Sequence, residues 1–157
     1  MWKVLDKIEE YLCAGMLSVM AALTFANVLV RYLTNASLAF TEELVVNLFV
    51  WVTMFGGAIA FRKGAHLGVS VLTNMFPTRL QKAVVILSAV CGVALFAILF
   101  KEGVGLVSQE YKNQMTTYSM GLPMWWFGLA VPTGALICLL RVVWAATNEL
   151  RSLSQDK

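Results

Sequence analysis

Polar and charged residues fall in a few short blocks along this chain, and the stretches between them are almost wholly apolar. Charge-free runs cover residues 11–30, 44–61, 83–100 and 113–140. A helix rises about 1.5 Å per residue, so each run is close to or beyond the length needed to cross a hydrocarbon core of about 30 Å. In lipid the backbone must satisfy its own hydrogen bonds, and a helix does so within each segment. The pattern therefore predicts an all-α membrane protein: a single four-helix domain over 1–157, with spans at about 11–31, 43–61, 81–101 and 122–144.

The one long polar interruption runs from Phe61 to Lys82. Within it, Leu67, Gly68, Val71, Leu72, Met75 and Phe76 share one arc of a helical wheel, while Ser70, Thr73 and Asn74 share the other. This predicts a short amphipathic helix over about 66–76, lying in the interface and ended by Pro77. The segment Lys101–Ser119 reads as a polar extracytoplasmic connection in which Lys101, Glu102, Glu110 and Lys112 are solvated.

Small residues suggest where helices meet. Ala14, Ser18, Ala22 and Ala26 repeat every fourth position, and Gly56, Gly57 and Ala60 cluster in the second span. Such patterns allow close helix approach where lipid offers no hydrophobic drive. Asn27 is placed to hydrogen-bond between helices. Pro132 falls within the last span and is expected to open the helix near the carbonyl of Gly128. Trp51, Trp125 and Trp126 are expected anchors at the membrane interface.

Composition strengthens this reading and excludes others. Hydrophobic residues make up 59% of the chain and charged residues 13%, with a mean hydropathy of +0.74. The net charge of +3 does not form a nucleic-acid face, because the basic residues sit at span ends. Nine of the twelve Lys and Arg fall on the side shared by both termini and the Phe61–Lys82 loop, which places that side in the cytoplasm. The first span is expected to be retained, since its apolar run exceeds a signal peptide's core and acids precede it. Cys13, Cys91 and Cys138 form neither a CxxC nor a Cys/His pattern, so no metal or cofactor site is expected.

Transport chemistry is also missing. An ion-coupled carrier keeps a charged group inside its spans, where it is costly unless used. Here all nine acids lie outside the charge-free runs, and a lone histidine, His66, excludes a bis-histidine haem anchor. Thr41-Glu42-Glu43 has the composition of a capped helix start. Glu42 and Glu43 are also open to pairing with Arg31 or with a partner subunit. His66, beside Arg62 and Lys63, is open to an interface contact, simple solvation or a pH response.

Taken in order, Glu42-Glu43, Trp51, Gly56-Gly57-Ala58, Arg62-x-Gly64-x-His66-Leu67, Gly121-Leu122-Pro123-x-Trp125, Pro132 and Arg141 resemble the DctQ-type small membrane subunit of tripartite ATP-independent periplasmic (TRAP) transporters. The resemblance covers nearly the whole chain. It implies a protein of the bacterial inner membrane, not an enzyme. The implied partners are a large M-type membrane subunit that carries substrate and sodium, a periplasmic substrate-binding protein, and membrane lipid. The small subunit would brace the large subunit's scaffold during uptake of an organic acid of the dicarboxylate or sialic acid class. Glu42 and Glu43 are then outer contacts, Arg62 and His66 inner contacts, and Gly56, Gly57 and Ala60 a seat for a neighbouring helix. Two competing readings are a stand-alone channel or exporter and a membrane anchor for a redox complex.

Overall fold

The computed structural model describes residues 2–34, 36, 38–62 and 78–155. The expected interfacial helix at 66–76, with His66, lies outside them, as does the side chain of Arg62. The described residues form five helices: α1 (Trp2–Thr34), α2 (Ala39–Arg62), α3 (Thr78–Lys112), α4 (Trp125–Gly128) and α5 (Ala130–Gln155). Among the described residues, four helical stretches are long and apolar enough to cross a membrane, over 7–34, 39–61, 80–112 and 125–151. The protein is a multi-pass membrane protein.

The helices outrun the spans expected from charge. Lys101 and Glu102 do not end the third helix, which continues for more than two further turns to Lys112. A helix of 35 residues is about 52 Å long, well beyond a hydrocarbon core. Charge ends a membrane span, but it does not end a helix. The expected polar connection therefore starts only at Asn113.

The fourth span is the hub of the bundle. α5 packs most extensively on α3, then on α2, while α1 packs chiefly on α2. Small residues make this possible. A Cβ at Gly134 would collide with Cβ and Cγ of Met54, and one at Gly103 would lie 3.0 Å from the backbone nitrogen of Pro132. The buried centre is Ala58, Phe96, Ala135, Cys138 and Val142. Phe61 closes it by standing edge-on to Phe96, with ring centroids 5.5 Å apart. The thiol of Cys138 points at the Met54 carbonyl, 3.5 Å away.

Polar groups along the spans satisfy themselves locally. The hydroxyls of Ser18, Thr24 and Thr53 each donate to a carbonyl of the preceding turn, at 2.8 Å in all three cases. This is the cheapest solution available to a hydroxyl facing lipid. The last span is broken at Leu129, between α4 and α5, three residues before Pro132.

Candidate functional site

Three carboxylates organise the polar structure, one toward the end of the bundle that carries both termini and two at the opposite end. On the side of the termini, Glu9 of α1 is buried against Arg141 of α5. The Arg141 Nη2 donates to both carboxylate oxygens, at 3.0 and 3.1 Å, and the two residues are 9% and 5% exposed. Each lies on the buried face of its helix. Glu9 is followed by Cys13, Met16, Met20, Leu23 and Asn27 at helical spacing, while Gly134, Cys138, Arg141 and Val142 continue one stripe of α5. A charge pair out of water is tolerated only with close, complementary geometry, and this pair has it.

The opposite end is a hairpin-like connection between α3 and α4 held by Glu43. The Thr117 amide donates to the Leu122 carbonyl at 2.7 Å, and Met124 to Met115 at 2.9 Å, around the isolated bridge between Thr116 and Pro123. Thr117, 2% exposed, accepts the Leu122 amide on its hydroxyl at 2.9 Å. Gly121 takes a positive φ of 66°, the conformation that glycine adopts without strain. Glu43 then reaches across from α2: its two oxygens accept the amides of Tyr118 and Ser119 at 2.6 and 2.8 Å. The loop so held presents Tyr118, 99% exposed, at its tip.

These contacts revise several expectations. Among the described residues Glu43 makes no ion pair with Arg31; its two oxygens accept the loop amides instead. Thr41 does not cap α2 by accepting an amide; it is buried, and its hydroxyl donates to the Leu38 carbonyl at 2.6 Å. The start of α2 is held instead by Asn27, whose Oδ1 accepts the Leu38 amide at 2.8 Å. Glu110, expected to be solvated, is 7% exposed, and its Oε2 has no partner among the described residues.

The remaining candidates stand as follows. Arg31 and Glu42 are exposed, and the ladder Ala14, Ser18, Ala22 and Ala26 lies on the exposed side of α1, away from the face that packs on α2. Gly56 has open space where a Cβ would be, whereas Gly57 approaches the Cys138 sulfur and Ala60 is half-buried. Trp51 stacks on Phe55 at 5.7 Å. Trp125 stands edge-on to both Tyr111 and Trp126, each at 5.8 Å. Among the described residues, no three His, Cys, Asp or Glu come together as metal ligands. A groove of about 310 Å³ between α3 and α5, walled by Phe61, Ser88, Gly92, Phe96, Val142 and Ala146, has no charged lining.

The Glu9–Arg141 pair was hidden because each residue, taken alone, reads as a charge at a span end. The available signal was that both extend the buried stripe of their own helix at i, i+4, i+7 spacing. No comparable signal marks the Glu43 contact, which depends on a turn 75 residues away.

Residues 20–152 match the family described as the DctQ component of tripartite ATP-independent periplasmic transporters. The chain is 39% identical over 62% of its length to a C4-dicarboxylate TRAP transporter small permease protein of Vibrio cholerae, a match spanning only 42% of that relative. It is 26% identical over 97% of its length to the corresponding protein of Rhodobacter capsulatus, covering 80% of it. It is also 23% identical over 91% of its length to an isethionate TRAP transporter permease protein, DctMQ, of Oleidesulfovibrio alaskensis, of which it covers 23%.

Proposed function

Because the chain belongs to the DctQ component family of TRAP transporters, a family of transport components and not of enzymes, we propose that it braces and anchors the scaffold of a large M-type permease subunit. The complex would lie in the bacterial inner membrane, with both termini of this chain in the cytoplasm. Uptake would be sodium-driven and fed by a periplasmic binding protein, with an organic acid of the dicarboxylate or sialic acid class as substrate.

The observation that carries this reading is the placement of charge. The buried groups Glu9 and Arg141 neutralise each other at the inner end, Glu110 lies at the outer end of α3, and the groove between α3 and α5 is apolar. A bundle so arranged offers an anionic substrate or a coupling ion nothing to bind at mid-membrane. What it does offer is apolar surface. Along α1, Tyr11, Leu17, Phe25, Tyr32 and Leu33 are all exposed, and α3 leaves Leu87, Val90, Leu95 and Ile98 uncovered. The DctMQ relative supports a side-by-side placement, since there the matching segment is less than a quarter of one longer permease.

The test is reconstitution of the large subunit and binding protein into liposomes with and without this chain. Loss of sodium-driven uptake on omission supports the brace. Equal uptake without it, or uptake by this chain alone, overturns it.

A further inference from the structure

One buried acid has no part in the bracing role. Glu110 lies two residues from the end of α3, buried, with Oε2 unpartnered among the described residues. It is pressed against Gly128, the last residue of α4, so closely that a methyl group there would collide with Oε2; Val107 lies beside the same contact. With Oε2 out of water and without a donor, the ionised form of the carboxyl is disfavoured against its neutral form. Among the described residues no countercharge pairs with it. Lys101, Glu102 and Lys112 on its own helix are exposed, α4 carries no ionisable group, Glu43 of α2 is engaged by Tyr118 and Ser119, and the first charged residue of α5, Arg141, binds Glu9.

The main chain across the contact has the opposite shortage. Residue 132 is proline, so the Gly128 carbonyl receives no amide hydrogen from the position that would normally supply it. The Thr133 hydroxyl donates to the Leu129 carbonyl at 2.5 Å and lies 3.4 Å from that of Ala130. Pro132 thus withholds the ordinary donor from the Gly128 carbonyl, and the unpartnered Oε2 of Glu110 lies against the same residue.

We propose that Glu110 is held as the neutral acid and that its Oε2–H donates to the main chain at Gly128, fastening the outer end of α3 to the break in the last span. Glu110 is then a positioning residue that supplies the hydrogen bond Pro132 removes. Only Gly128 leaves room for it.

Infrared spectroscopy of the full chain in detergent at pH 7 tests this. The parent minus Glu110→Gln difference spectrum is expected to show loss of one protonated-carboxyl C=O band. Glu110→Gln, which keeps a donor, is expected to hold the parent's thermal midpoint, and Glu110→Ala to lower it by several degrees. Loss of a carboxylate band instead would overturn the proposal, because an ionised Glu110 has no proton to give. A Gln variant as unstable as the Ala variant would overturn it too. If the Ala variant does not fold, the difference spectrum alone decides.

Discussion

Glu9 and Arg141, 132 positions apart, meet as a buried ion pair that joins the first turns of the first helix to the middle of the last. α1 otherwise packs chiefly on α2, so this pair is its principal hold on the hub of the bundle. Removing one partner strands the other charge out of water, which costs about 3–5 kcal/mol. Glu9→Met and Arg141→Met are each expected to lower stability in detergent unfolding by that order. The double variant is expected to be less destabilised than the sum of the two. Additive losses would mean that the pair is not coupled.

Glu43 acts on the loop, not on the start of its own helix. Replacing it by Ala removes both acceptors for Tyr118 and Ser119, so these amides are expected to exchange much faster with solvent. The α3–α5 core should keep its protection. Hydrogen exchange read at the two amides checks this, and unchanged exchange would remove Glu43 from the loop.

Two glycines in similar sequence contexts are expected to behave oppositely. Gly134→Ala drives a methyl into Met54 and should cost about 1–3 kcal/mol by overpacking. Gly56→Ala meets nothing within the chain and should leave its stability within about 0.5 kcal/mol. Thermal unfolding of the isolated subunit separates them.

The exposed ladder of α1 is expected to matter only in the complex. Ala22→Leu should leave the isolated chain as stable as the parent, yet lower the yield of large subunit that copurifies with it. Undiminished copurification, with undiminished uptake, would show that this face meets lipid.

Charge asymmetry predicts the orientation. A reporter inserted at Asn113 is expected to behave as extracytoplasmic and one fused to the C-terminus as cytoplasmic. The reverse pattern would overturn the proposed orientation.

The sequence alone determined the membrane class, the four spans and the break in the last of them. These depend on local quantities: the length of apolar runs, the charges that bound them, and a proline that has no amide hydrogen. Tertiary structure decided which face of each helix is used. It set Asn27 and not Thr41 at the start of α2, buried Glu110 under Gly128, turned Glu43 to the loop, and joined Glu9 to Arg141. In a lipid-facing helix hydrophobicity is nearly uniform around the circumference, so periodicity barely marks the packed side. The decision passes to close approaches such as Gly134 on Met54 and to polar pairs far apart in the chain, and these exist only once the helices have been rotated against one another.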